Sequence, residues 1–182
     1  MRYFTRELWL GFNTQDDAQF QRTRKRWEAN LKAYSRQLEP LKSRLSQNGS
    51  RFFESVSLHD GRLLAFTVGD HIDFRQSDLK SLSRSTGKPK VRIQVLDFEQ
   101  RWLHILAYTR VRNVLFDFPS KTPLFYEEGD RIDDWGYDEL TAADKSYLRH
   151  EILFSSGAMI LIEFQKFSHK RTRVAGSKGP IF

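Results

Sequence analysis

The sequence predicts an α+β fold, an N-terminal amphipathic helix packed on a mainly antiparallel sheet or partly open barrel. Three observations carry this. Apolar residues recur at helical spacing up to about residue 38, the period becomes two-fold after residue 51, and the later strand-like runs follow one another without a helical run between them. Consecutive strands joined by short turns pair antiparallel, and a helix preceding them covers one face. At 182 residues and 39% hydrophobic composition, the chain is long enough to bury a core without disulfides or metals. It reads as a single domain: a helical segment at 1–50, a sheet at 51–167 with an acidic insertion at 119–148, and a basic tail at 168–182.

The elements follow in order. Residues 3–12, YFTRELWLGF, form a short aromatic and aliphatic opening, a strand or a turn of helix. The cap-type residues of NTQDD then introduce a helix in which Phe20, Trp27, Leu31, Tyr34 and Leu38 share one face, opposite Arg22, Arg24, Lys25, Arg26, Lys32 and Arg36. Pro40 ends or kinks it, residues 41–45 allow a further turn, and SQNGS at 46–50 has loop composition. Strands are expected at 52–58, 62–68, 71–74, 91–98, 101–109, 110–118, 150–156 and 158–167, the last two forming a hairpin about a Ser-Gly turn. Residues 75–90 are rich in Ser, Lys and Arg and read as an exposed loop. Within the acidic insertion, Thr141 and Asp144 make a T-x-x-D box that predicts a short helix at 141–147.

Net charge is +7, but its distribution is uneven. Residues 22–51 carry nine Lys/Arg against two acids, residues 127–144 carry eight acids against one Arg, and the last eighteen residues hold five cations and no acid. With no cysteine, a disulfide framework, a zinc ribbon and a thiol nucleophile are excluded. The opening segment lacks a secretory apolar core, and the longest apolar run, AMILI at 158–162, is strand-sized against the ~20 residues a spanning helix needs. A cytoplasmic protein is expected.

The sequence offers five candidate sites. His59 and Asp60 adjoin in SVSLHDGRLLAF, but neighbours in a strand face opposite ways, and Asp60-Gly61 is a hairpin-turn signal, so the pair reads as architecture rather than a catalytic dyad. The five histidines show no metal-ligand spacing, so no metal or cofactor is predicted. No nucleophile elbow or phosphate-binding glycine loop is present, which makes an enzyme a minority reading. The basic helix and the HKRTR run at 169–173 form a candidate surface for a nucleic-acid backbone, with Trp9 and Trp102 able to stack bases. The acidic insertion offers a protein-binding surface: Glu127, Glu128, Asp130, Asp133, Asp134, Asp138 and Glu139 surround the aromatic anchors Trp135 and Tyr137.

The segments MRYFTRELW, SLHDGRLL and HEILFSSGAMILIEF together resemble a bacterial domain family of unknown function whose members open with M-[RK]-Y-F-T-x-E-L. The layout is also similar to small immunity proteins that neutralise toxins of contact-dependent or polymorphic toxin systems. The resemblance implies a cytoplasmic bacterial α+β protein with no established catalysis, and transfers no functional residue. Immunity proteins against nucleases are commonly acidic, so in this basic chain the insertion alone would do that work. The leading expectation is a non-enzymatic protein that binds a protein partner, a toxin domain, through residues 127–144. The alternatives are nucleic-acid binding by the basic helix and tail, and a hydrolase centred on His59 and Asp60.

Overall fold

A computed structural model describes residues 1–69, 89–118 and 134–174. The described residues form helices α1 (Arg6–Phe12), α2 (Asp17–Leu38) and α3 (Gln47–Ser55), with a 3-10 segment at Glu39–Arg44. The strands are β1 (Arg62–Gly69), β2 (Lys90–Leu96), β3 (Trp102–Thr109), β4 (Asn113–Asp117), β5 (Trp135–Ala142), β6 (Leu148–Phe154), β7 (Met159–Phe164) and β8 (Lys166–Arg173). The fold is α+β with antiparallel sheets, as the change of period predicts. It is not a closed barrel, for the strands divide into two four-stranded sheets, β1-β2-β3-β8 and β4-β7-β6-β5.

The two sheets are joined at a corner. β7 runs into β8 through Gln165, and β3 passes to β4 through Arg110, whose φ of 55° gives the chain its turn. At the opposite side Arg62 bridges Asp134, and Trp135 exchanges backbone hydrogen bonds with Asp60 and Gly61. Val91, Ile93, Leu106, Tyr108 and Phe167 of the first sheet meet Trp135, Leu148, Ile152, Phe154, Ile160, Ile162 and Phe164 of the second in a buried core. Burying a side chain of this size stabilises the fold by about 1.5–3 kcal/mol.

The opening segment becomes α1, and Gly11 lets it approach α2 so closely that an added Cβ would lie against the Thr23 hydroxyl. Asp16 caps α2 by accepting from the amides of Ala18 and Gln19 at 2.8 and 3.1 Å. Of the apolar face predicted for α2, Tyr34 and Leu38 are buried and Trp27 packs against the core, but Leu31 is 47% exposed. α2 also protects an edge. The Tyr34 hydroxyl accepts from the Leu140 amide (2.9 Å) and Gln37 donates to the Leu140 carbonyl (3.2 Å), occupying backbone groups that edge strand β5 would otherwise leave open.

Four expectations need correction. Residues 47–55 are helical, so 46–50 is not a plain loop and 52–58 is not a strand; Ser46 caps α3 by accepting from the Gly49 amide. The predicted helix at 141–147 is the end of β5 and a turn, in which Asp144 accepts from the amides of Ser146 and Tyr147 (2.7 and 2.8 Å). The expected single strand at 158–167 breaks at Gln165, and residues up to Arg173 continue as β8 rather than as a tail. Residues 135–148, read as part of an insertion, belong largely to the sheet. The expected strand at 71–74 and nearly all of the loop at 75–90 lie outside the described residues. No described helix is long and apolar enough to cross a membrane.

Candidate functional site

The side chains assigned to a partner surface are dispersed. Trp135 is wholly buried, and its indole donates to the Asp138 carboxylate at 3.0 Å. Glu139 is wholly buried on the other face of β5, where it accepts from the backbone amides of Arg2, Tyr3 and Phe4. Strand geometry, absent from a loop, is the reason: a bulge between Trp135 and Tyr137 shifts the alternation, so the two side chains are buried on opposite faces of β5 and neither can anchor a partner in the folded protein. Tyr137 is half-buried among Trp9, Trp27 and His59, with ring centroids 4.7–5.2 Å away. Asp134 sits at the bridge to Arg62. Glu127, Glu128, Asp130 and Asp133 lie outside the described residues.

His59 and Asp60 do meet, Nδ1 to Oδ2 at 3.0 Å, because Asp60 adopts a φ of 61° and turns the chain sharply. This turn leads from α3 into β1; no strand precedes it, so the expected hairpin is absent. The His59 ring lies between Trp9 and Tyr137.

A second polar chain runs inside the sandwich. The Tyr108 hydroxyl contacts His150 Nδ1 at 2.7 Å, His150 Nε2 contacts Asp138 at 3.0 Å, and Asp138 accepts from Trp135. Tyr108, His150 and Trp135 are wholly buried, and burial drives the Tyr108 pKa well above its ordinary value, keeping it a neutral hydroxyl. Each member satisfies the next, which is what a buried polar network requires. Asp138, with 21% of its side chain exposed, is the member of this network nearest solvent.

The site with both access and chemistry lies between α3 and β8. α3 crosses the inner face of β8, with Phe52 and Phe53 on Phe167 (5.3 and 5.0 Å) and Ser46 donating to the Phe167 carbonyl. Beyond these aromatics the two elements part into a cleft of about 570 Å³, lined by Asn48, Arg51 and Ser55 from α3 and by His169, Lys170 and Arg171 from β8. That volume falls within the ~300–1,000 Å³ of sites that take a small molecule.

The sheet register explains this composition. Trp102, His104, Leu106 and Tyr108 alternate onto the inner face of β3, opposite Arg173, Arg171, His169 and Phe167 of β8. One end of this face is apolar and packs on the other sheet; the other end is aromatic and basic. There His104 Nδ1 and His169 Nε2 stand 3.0 Å apart in stacked rings, and the Arg171 guanidinium lies 4.6 Å over Trp102. Burial and the Arg171 charge lower the His104 pKa against an opposing pull from Asp97. Burial first, then His104 and Arg171, hold His169 at about 4. Both rings are therefore neutral near pH 7.

The cations lining this cleft have no carboxylate within ion-pair distance among the described residues, a state they share with Lys25, Lys32, Arg110, Lys145 and Lys166. Elsewhere Arg112 is held by Glu163 and Asp144, and Arg149 by Glu163. Among the described residues no carboxylate pairs with Arg51, Lys170, Arg171 or Arg173 within 4.0 Å. The described residues hold no group of three or more His, Asp or Glu arranged to bind a metal.

The expected basic tail was thus half of this site, placed on the wrong kind of element. Arg51 and α3 were missed, although Ser46 before a run with Gly49, Phe52 and Val56 at three- and four-residue spacing is a helix signal. No protein-family model matches this chain, and no curated protein or solved structure matches it.

Proposed function

We propose that the protein is a non-enzymatic binding protein for a phosphodiester chain, which it takes in the cleft between α3 and β8. The observation that supports this most is the convergence of Arg51 and Arg171 on one cleft with no carboxylate paired to them among the described residues. Unpaired cations along a groove raise the local concentration of a polyanion, and each phosphate they neutralise releases condensed counterions. The side-chain amide of Asn48 adds a hydrogen-bond donor for phosphate oxygens. The basic face of α2 belongs to a different part of the molecule, so this reading moves the nucleic-acid surface from the long helix to α3 and β8.

A protein partner is the second reading. Its expected anchor Trp135 and its acid Glu139 are sealed in the core, but Leu64, Val68, Leu115 and Phe118 are 50–54% exposed around the edge strands β1 and β4 and offer apolar contact area. A toxin-neutralising role would then use these edges together with Asp134 and Tyr137.

Fluorescence anisotropy with a labelled oligonucleotide, titrated at several salt concentrations, separates the two. The expected result is an affinity that falls linearly with log salt at a slope near −0.7 per phosphate contacted on a single strand. The double variant Arg51→Gln/Arg171→Gln should lower both affinity and slope. Absence of binding at low salt, or binding indifferent to the double variant, overturns the cleft as the site.

A further inference from the structure

Resting on that reading, we infer that the cleft is selective for unpaired nucleotides, with the Trp102–Arg171 pair at its margin stacking a base while Arg51 holds the phosphates. A polyanion site needs only cations. Here the same face of β3 and β8 that carries Arg171 and His169 also presents Trp102, half-buried, with the Arg171 guanidinium 4.6 Å over its ring. Indole and guanidinium are the two planar surfaces on which bases stack, and stacking is indifferent to base identity because every base has a π-face. Of the two tryptophans with candidate stacking roles, Trp9 is packed edge-on against Tyr137 and beside His59, whereas Trp102 lies at the basic end of the sheet.

Geometry supports a single strand over a duplex. The cleft holds 570 Å³, the scale of a nucleotide rather than of a double helix, and its walls are α3 and β8 themselves. In a duplex the bases are stacked on one another and only backbone could reach the rim. In a single strand the backbone can follow Arg51 while a base leaves its neighbours for Trp102.

The test compares four probes of about twelve nucleotides, a length within the span of single-strand sites: oligo-dT, oligo-U, a duplex, and an abasic sugar-phosphate chain that keeps the charge and lacks bases. The expected result is that both single strands bind about tenfold or more tighter than the abasic chain, as stacking of one base predicts. Trp102→Ala should bring that ratio close to one with the salt slope unchanged, and Trp102→Phe should restore most of it. Circular dichroism and thermal melting establish that both variants are folded. Equal affinity for abasic and base-bearing chains, a duplex preference, or a ratio unmoved by Trp102→Ala overturns the stacking role and leaves the phosphodiester cleft standing. Failure of all four probes overturns both.

Discussion

Glu139 illustrates what a residue's chemistry alone leaves open. An acid in a run of acids reads as solvated surface, yet Glu139 is wholly buried and accepts from three consecutive backbone amides, those of Arg2, Tyr3 and Phe4. It does for the N-terminal segment what a cap does for a helix, supplying one charged acceptor for several orphan donors. Hydrogen bonds to a charged group contribute about 1.5–3 kcal/mol each, and they are not additive around one carboxylate. Glu139→Gln replaces one oxygen by a donor facing an N–H, so we expect urea unfolding to report a loss of about 2 kcal/mol or more. The control is Glu7→Gln, on an exposed side chain, which should stay within about 0.5 kcal/mol. Equal effects would mean that Glu139 carries no special weight. His59 and Asp60 are the opposite case. Their reading as a turn was legible, because Asp-Gly tolerates the conformation that Asp60 adopts, while their mutual contact depends on a backbone dihedral that sequence does not disclose.

At the level of elements, the legible parts were those with a long, unambiguous period. α2 and the pairings β2–β3 and β6–β7 were read from spacing because each repeats its pattern over six or more residues. α3 was not, because at nine residues its aromatic pair Phe52-Phe53 and Val56 fit a strand equally well, and Ser46, Asn48 and Gly49 serve both as loop residues and as the start of a helix. What decides is tertiary: Phe52 is 1% exposed against Phe167 and His169, a contact with residues more than a hundred positions away. β8 was missed for a related reason, since its pairing partner β3 supplies the order that a basic run lacks by itself. A short helix of this kind depends on its cap. Ser46→Ala removes the acceptor for the Gly49 amide and the donor to the Phe167 carbonyl, and should cost about 1 kcal/mol in thermal or urea unfolding. Because α3 is one wall of the cleft, oligonucleotide affinity should fall in the same variant without a change in salt slope. A slope that changed would place Ser46 among the phosphate contacts instead.

Over the whole molecule, the proposed ligand binding would be coupled to proton binding through two histidines that no sequence pattern joined. His104 and His169 are 65 positions apart, and only the β3–β8 register brings them to 3.0 Å. Their pKa values are lowered in the folded state, His169 to about 4 against an unfolded value of 6.5, with burial the largest cause. The sign for stability follows directly. Above pH 6.5 both states are neutral at this site and its contribution is whole; as pH falls below 6.5 the unfolded chain takes up a proton that the folded chain refuses, and the contribution is lost by about pH 4. A phosphodiester chain in the cleft acts in the other direction. Negative charge beside the imidazoles favours their protonated forms, so binding takes up protons and affinity rises as pH falls. Between pH 7 and pH 5, at constant ionic strength, the free protein should therefore melt at progressively lower temperature while its dissociation constant for oligo-dT decreases. His169→Gln, which keeps polarity and removes the titration, should flatten both curves, leaving the pull of Asp97 and the push of Arg171 on His104 as the residual dependence. Opposite slopes that collapse together in this variant would locate the ligand at the histidine pair. An affinity independent of pH in the unsubstituted protein would place the phosphates beyond the reach of both rings, at Arg51 and the outer end of α3 alone.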